Sequence, residues 1–206
     1  MAPVTLETAR LALRPLGDDD LDALLALHSE QAFWRYPLGR AMTPEETTRF
    51  LERTLAHYDD HGFGLSAVVL RDSGTLAGWA GLGVPNFLPE LLPAVEVGWR
   101  LAERFWGQGY ATEAGAAWVK YGLGELGLER IVSICQPENE ASYAVMMRLG
   151  MRLERRTVDP ERGFSLLVTE IAIRAPDATS GPRRSALRRD RWWRATPRAC
   201  FAPRDV

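Results

Sequence analysis

The stretch that most constrains the fold of this chain runs from Pro93 to Gly122 and predicts a strand, a glycine-rich turn and a helix in immediate succession. Val95 and Val97 alternate with Glu96 and Gly98, the period-two pattern of a half-buried strand. After the segment W-G-Q-G-Y-A, apolar residues recur at helical spacing: Tyr110, Ala114, Ala117, Trp118 and Tyr121. Glycines let the backbone approach a ligand closely, and the free N–H groups of a first helical turn attract anions. The stretch therefore predicts a site for phosphate groups. Gly98 inside the strand indicates a bulge or a close backbone approach.

Two nucleotide-binding motifs are excluded at this turn. A P-loop requires a lysine after its last glycine, and none follows Gly109. A dinucleotide-binding fingerprint requires a third glycine, but counting from Gly107 that position is Thr112. The predicted phosphate site therefore belongs to another class of protein.

A second strand and helix follow. Arg130–Cys135 is a short segment rich in β-branched residues, which is typical of a buried strand. Asn139 is suited to cap a helix and Gly150 to end it. The helix between them carries one apolar stripe, formed by Ala141, Val145 and Leu149.

The first segment resembles the GNAT superfamily of N-acetyltransferases, in the form that we associate with its RimJ/RimL-type branch. In that family the motif Q/R-x-x-G-x-G/A holds the pyrophosphate of acetyl-coenzyme A. Gly109, Tyr110 and Ala111 fit its second half, whereas Trp106 stands where glutamine or arginine is usual.

The second segment carries the same resemblance. Asn139, Ser142 and Gly150 match a family motif whose asparagine and helix line the pantetheine arm. Met146 stands where many members carry a tyrosine. The resemblance covers Leu6 to Arg174.

The resemblance implies an α/β (α+β) fold with a mixed, mostly antiparallel sheet of six to seven strands flanked by helices. The sheet would split at the cofactor site, where the strand of Glu96 and the strand of Ile131 diverge. Residue patterns predict the other elements: strands at 8–15, 63–70, 75–84, 154–158 and 164–173, a helix from Leu21, and a helix opened by the capping box at Thr43.

The resemblance also implies acetyl-CoA as co-substrate and an amine as acceptor. The implied cofactor-binding positions are Val97, Trp99, Leu101, Trp106, Gly107, Gln108, Gly109, Tyr110, Ala111, Thr112, Asn139, Ser142 and Met146. The implied acceptor-binding positions are Trp34 and Tyr36, in a loop that could equally serve as packing between helices, and Phe87. Phe87 lies in a loop, 86–92, whose apolar residues look exposed and could form a wall of the acceptor site or a dimer contact.

Acetyl transfer requires a base for the amine and stabilisation of the departing thiolate. Glu96, facing opposite to Val95 and Val97, is the first candidate for the base, and Glu103 is the second. Ser142 is a hydrogen-bond donor for the thiolate, because Met146 has no proton to give. Cys135 is interpreted as a core residue rather than a nucleophile.

Composition bounds the remaining properties. A chain of 206 residues, 46% hydrophobic, can bury one core, so residues 1–174 are expected to form one domain. Residues 175–206 carry a net charge of +5 and no periodicity, which predicts a disordered basic tail; residues 1–174 carry −7. The two cysteines are far apart in the chain and form no disulfide framework, which indicates a reducing, cytoplasmic location. No stretch is apolar over the length of a signal peptide or a membrane span, so no membrane anchor is expected. Nucleic acid is not an expected partner, and a homodimer is left open.

No metal site is expected. His57 and His61 are one helical turn apart, but no third ligand is within sequence reach. The predicted function is N-acetyl transfer to a primary amine through a ternary complex, with a protein N-terminal α-amine as acceptor. The alternatives are a small amine, such as an aminoglycoside, polyamine or amino acid, and a non-catalytic acyl-CoA-binding domain.

Overall fold

A single sheet organises the computed structural model, which describes residues 4–173. Its eight strands are β1 Leu6–Glu7, β2 Leu11–Pro15, β3 Leu65–Leu70, β4 Leu76–Gly83, β5 Val95–Leu101, β6 Arg130–Cys135, β7 Arg152–Val158 and β8 Ser165–Ala172. They lie in the order β1-β2-β3-β4-β5-β6-β8-β7. The predicted tail, 175–206, falls outside the described residues.

The parallel contact between β5 and β6 is short. It pairs Val95 with Ile131 and Glu96 with Val132. Beyond these pairs β5 continues beside β4 to Leu101, and β6 continues beside β8 to Cys135. The two strands therefore separate in the middle of the sheet, which confirms the predicted split.

Four helices flank the sheet: α1 Leu21–His28, α2 Pro44–His61, α3 Tyr110–Gly124 and α4 Glu140–Arg148. Local signals explain their ends. The Thr43 side chain accepts a hydrogen bond from the Glu46 backbone, with proline at the first helical position, and the left-handed Gly62 ends α2. The Asn139 side chain caps α4 by accepting from the Ser142 backbone.

Three hydrophobic clusters are buried within residues 4–173, and two of them lie between the sheet and its helices. The cluster under α3 includes Trp118, Val97 and Leu13, all fully buried. The cluster under α1 and α2 includes Phe50 and Trp79. In the second cluster His28 is wholly buried among aromatic rings, and burial lowers its pKa to about 3, so its imidazole is a neutral core residue.

Three details differ from the sequence expectations. The eighth strand is β1, whose two residues are too short to carry a periodic pattern. Gly98 sits in regular register opposite Gly81, and a Cβ placed there would meet nothing within 4 Å, so it marks open space rather than a bulge. Leu88 and Leu91 of loop 86–92 are buried against Val132 of β6 and Val168 of β8, whereas Phe87 and Leu92 are half-buried, so two of the four apolar residues expected to be exposed belong to the core.

Candidate functional site

A cavity of about 1000 Å³ opens where β5 and β6 diverge. It extends from the N-terminus of α3, past the N-terminus of α4, to the loops beside α1 and α2. The sequence-predicted residues that line it are Trp34, Tyr36, Phe87, Glu96, Trp99, Leu101, Trp106, Gly107, Gln108, Gly109, Tyr110, Ala111, Thr112, Asn139, Ser142 and Met146. Segments far apart in the chain thus meet in one space.

The phosphate loop, residues 106–109, leads directly into α3. Gly107 and Gly109 have φ of +74° and +82°, in the left-handed region that favours glycine. The first helical hydrogen bond of α3 runs from the Glu113 amide to the Gly109 carbonyl, so the amides of residues 110–112 have no partner within the helix. Free amides at the positive end of a helix are suited to a diphosphate.

A hydrogen-bonded network fixes this loop from the far side of the sheet. Glu113 accepts from the Thr8 hydroxyl at 2.6 Å, from the Arg10 amide at 2.9 Å and from Arg10 Nε at 2.7 Å. Arg10 also donates to the Gln108 carbonyl at 2.9 Å and lies 4.4 Å from the centre of the Tyr110 ring. Burial by itself would raise the pKa of Glu113, but these hydrogen bonds outweigh it and lower the pKa.

The groups around this loop fit a diphosphate. A Cβ on Gly109 would contact the Arg10 guanidinium at 3.4 Å, and the φ of +82° is one that other residues rarely adopt, so glycine keeps this corner accessible. Backbone amides and a neighbouring cation form the donor set that a diphosphate requires. Residues 107–112 would hold the diphosphate of acetyl-CoA, and α4 would border the arm that leads to the thiol.

The N-terminus of α4 lies across the cavity from this loop. Ser142 is half-buried and lines the cavity, while Met146 is almost fully buried beneath it. The Cys135 thiol lies 4.0 Å from the Met146 sulfur. Burial, with Glu96 nearby, raises the pKa of Cys135 to about 11, so the thiol stays protonated and is a weak nucleophile.

Glu96 is one of the carboxyl groups that line the cavity. It sits on the last residue pair before β5 and β6 separate, where it is half-buried. Desolvation raises the pKa of Glu96 to about 8, against a smaller opposing effect of the Ile134 backbone amide. A carboxyl with a pKa near the working pH can accept a proton as a general base.

The end of the cavity beside α1 and α2 is aromatic. Trp34 and Phe33 belong to the short helical turn Gln31–Trp34, pack in the core and also line the cavity, and the acceptor-binding role of this loop stays a prediction. Tyr36 donates from its hydroxyl to the Glu138 carbonyl at 3.0 Å, which joins this loop to the turn before α4. Arg100 of β5 also lines this end.

Two predicted residues are not brought to the cavity. Glu103 is exposed and starts a short helical turn outside it, because the chain turns outward after Leu101. The Val97 side chain is fully buried in the cluster under α3, since its position on β5 faces away from Glu96. The Val97 carbonyl accepts a hydrogen bond from the Ser133 hydroxyl at 2.8 Å, at the point of divergence.

Three residues of the site were missed from sequence. Arg10 and Glu113 lie 103 residues apart and hydrogen-bond to each other. The sequence signals were the segment T-A-R at the start of the first strand and the segment T-E-A after the glycines, and neither predicts the pairing. Arg100 gave a weak signal, a charged residue on a predicted half-buried strand.

Among residues 4–173 there is no cluster of three or more His, Cys, Asp or Glu side chains placed to hold a metal ion. His57 and His61 lie with ring centres 4.4 Å apart in the core beside Phe63. Within the same residues, no helix has both the length and the apolar character needed to cross a membrane.

The split sheet, the glycine turn at a helix N-terminus and a shielded carboxyl between them define a protein that binds an acyl-CoA and acts on a second substrate. Residues 10–152 match the family described as "Acetyltransferase (GNAT) domain". The chain belongs to this family, and it is an acetyl-CoA-dependent N-acetyltransferase.

Similar proteins agree at this level. The chain is 31% identical to the uncharacterized N-acetyltransferase YnaD of Bacillus subtilis, over 72% of this chain and 83% of that protein. It is 32% identical to the FsC-acetyl coenzyme A-N(2)-transacetylase of Aspergillus fumigatus, over 73% of this chain and 66% of that one.

A solved structure of RimL, a ribosomal L7/L12 alpha-N-protein acetyltransferase in complex with coenzyme A, has the same fold. The TM-score is 0.69 at 20% identity, over 84% of this chain and all of that one. At this identity the likeness concerns the fold. The RimJ/RimL branch therefore stays a prediction.

Proposed function

We propose that this acetyltransferase acts on a protein N-terminal α-amine by direct transfer in a ternary complex, with Glu96 as the general base. The observation that carries the proposal is the position of Glu96, which lines the cavity at the last residue pair before β5 and β6 separate, where desolvation raises its pKa to about 8. An α-amino group has a pKa of about 8, whereas a lysine side chain has about 10.4. A base and an acid of equal pKa exchange a proton without a free-energy penalty.

The free-energy difference between the acceptors is large. At pH 7 deprotonation costs about 1.4 kcal/mol for an α-amine and about 4.6 kcal/mol for a lysine. Ionised Glu96 can take the proton of an α-amine at little cost because the two groups have similar pKa values, whereas taking it from a lysine would be uphill. Acetyl-CoA supplies the acetyl group and a thiolate leaving group.

The protein's own groups would divide the remaining work. Glu96 takes the proton of the amine, directly or through water. The half-buried hydroxyl of Ser142, at the N-terminus of α4, donates a hydrogen bond to the thiolate, and the positive end of the helix favours the same charge. The phosphate loop orients the acetyl donor, and the Trp34 and Tyr36 loop with Phe87 borders the acceptor.

A small-molecule amine is the second candidate acceptor. It is favoured by the relative from Aspergillus fumigatus, which is named as an N(2)-transacetylase of FsC. The homodimer and the cytoplasmic location remain proposals that rest on the sequence.

The acceptor class can be tested by following thiol release from acetyl-CoA. Peptides with a free N-terminus would be compared with the same peptides blocked at the α-amine but carrying a free lysine, and with a panel of small amines. We expect the highest kcat/KM for free N-termini. If only small amines are acetylated, the α-amine proposal is wrong and the acceptor is a small-molecule amine.

A further inference from the structure

Arg100 is a cation whose surroundings hold no negative charge. In β5 it lies on the same face as Glu96 and Gly98, and all three line the cavity. One guanidinium nitrogen donates to the Phe33 carbonyl at 2.5 Å. Within residues 4–173 no carboxylate acts on the pKa of Arg100, and its Nε has no hydrogen-bond acceptor.

Aromatic rings, rather than carboxylates, surround this guanidinium. Its carbon lies 4.3 Å from the centre of the Trp34 ring, 5.5 Å from that of Trp79 and 5.9 Å from that of Phe33. We call these three residues the aromatic box. The indole N–H groups of Trp34 and Trp79 also have no acceptor in the described part of the chain.

The box does not compensate the charge. A cation–π contact recovers less free energy than the removal of a cation from water costs. Burial accordingly lowers the pKa of Arg100 to about 9, with no neighbouring anion to raise it. The surroundings are rich in hydrogen-bond donors and contain one carbonyl acceptor, so an anion is the missing partner.

The same strand face carries the opposite charge at its other end. Glu96 and Arg100 are four residues apart, roughly 13 Å along a strand. Gly98 lies between them, with no atom within 4 Å of where a side chain would begin. A molecule can therefore lie along β5 across Gly98 with one end at each charge.

We propose that the acceptor carries a carboxylate several bonds away from its reacting amine, and that Arg100 in the aromatic box binds this carboxylate while the amine reaches Glu96. This specificity rests on the proposed acetyl transfer at Glu96. Both an ω-amino acid and a peptide with an acidic residue near its N-terminus present these two groups.

A matched pair of acceptors tests the proposal. 6-Aminohexanoate and its amide share the amine and the chain length and differ in the negative charge. Both amines have a lysine-like pKa, so both should react more slowly than a free peptide N-terminus, and the readout is the ratio between the two compounds. We expect wild-type kcat/KM to be about 10- to 150-fold higher for the acid, the range for hydrogen bonds to a charged group. Glycine should be a poor acceptor, because its two groups are too close to reach both ends of the strand face.

Variants of Arg100 identify the group responsible. Arg100→Met should abolish the preference for the acid and leave the KM for acetyl-CoA unchanged, and Arg100→Lys should retain part of the preference. Arg156→Met, which removes an exposed arginine of β7, is the charge-matched control and should retain all of it. Equal rates for acid and amide in wild type, or a preference that survives Arg100→Met, would overturn the proposal. If Arg100→Met does not fold, the wild-type comparison and Arg100→Lys decide.

Two further experiments follow. One compares acidic peptides with ω-amino acids as acceptors, and the other tests carboxylate binding independently of acetyl transfer. Peptides with Glu or Gln at the second or third residue show whether an acidic N-terminus is preferred as well. If no amine is acetylated at all, acetyl transfer fails, and calorimetry of 6-aminohexanoate in the presence of CoA then tests the site alone. Binding to wild type but not to Arg100→Met would support the carboxylate site, and absence of binding would overturn it.

Discussion

At the residue scale, the cavity contains a carboxyl group whose surroundings disfavour its charge. Glu96 is placed at the last β5–β6 pair, where it is half-buried and lines the cavity. The raised pKa follows from desolvation, so it belongs to the folded protein and not to the residue type.

Glu96→Gln should lower kcat by roughly 10²–10⁴-fold, because the amide keeps the size of the side chain but cannot accept the proton. In wild type, kcat should increase as the pH rises through about 8, because Glu96 becomes ionised there. The kcat of the variant should not show this increase. The measurement is a pH profile of kcat at saturating substrates.

Glu103→Gln is the control, because this exposed carboxylate lies outside the cavity. It should leave the profile as it is in wild type. A normal Glu96→Gln profile together with an impaired Glu103→Gln enzyme would exchange the roles of the two carboxylates.

The same carboxyl group should make stability depend on pH. Unfolded, a glutamate ionises near pH 4.5, whereas folded Glu96 ionises near pH 8, so between these values the folded state binds one more proton. The free energy of unfolding contributed by Glu96 therefore falls as pH rises from about 4.5 to about 8. Glu96→Gln should raise the Tm relative to wild type more at pH 9 than at pH 5. Equal changes at both pH values would contradict the buried carboxyl.

At the scale of elements, the phosphate loop depends on backbone shape. Valine in place of Gly109 would have to adopt a φ of +82°, which a β-branched residue rarely does. The loop would shift and the corner beside Arg10 would be filled. Gly109→Val should therefore abolish acetyl-CoA binding in calorimetry while the protein still melts cooperatively.

Gly124→Ala is the matched control for this substitution. Gly124 ends the same helix, has no left-handed backbone and has open space around it. Its variant should bind acetyl-CoA normally. Unchanged affinity in Gly109→Val would contradict the placement of the diphosphate.

The network behind the loop makes a separate prediction. Glu113→Gln replaces the carboxylate that accepts from Thr8 and Arg10, so Arg10 would no longer be held against the Gln108 carbonyl. We expect the KM for acetyl-CoA to rise about 10-fold, as for the loss of a charged hydrogen bond, with kcat little changed. An unchanged KM would show that the loop keeps its shape without the network.

At the scale of the whole molecule, residues 4–173 are sufficient to build a core and the cavity. They form three hydrophobic clusters and line the cavity between β5 and β6. Deleting residues 175–206 should therefore leave the Tm and turnover within error, measured on the purified truncated chain. A loss of several degrees would place the domain boundary later in the chain.

The sequence by itself determined most of the elements and the phosphate loop. Helix caps such as Thr43 and Asn139, left-handed glycines such as Gly109 and the alternation along β5 are set by contacts within a few residues. These signals are local, because hydrogen bonds at helix ends and φ preferences involve near neighbours. The residues of the loop and of α4 could be predicted for this reason.

Only the tertiary structure decided the electrostatics of the site and its acceptor end. The pKa of Glu96 depends on the divergence of β6 from β5. Arg10 binds Glu113, which lies 103 residues later in the chain. Arg100 donates to the carbonyl of Phe33, which lies 67 residues earlier. Burial likewise placed Leu88 in the core and left Glu103 outside the cavity. Desolvation and the pairing of charges depend on atoms brought together from distant parts of the chain, which no local pattern records.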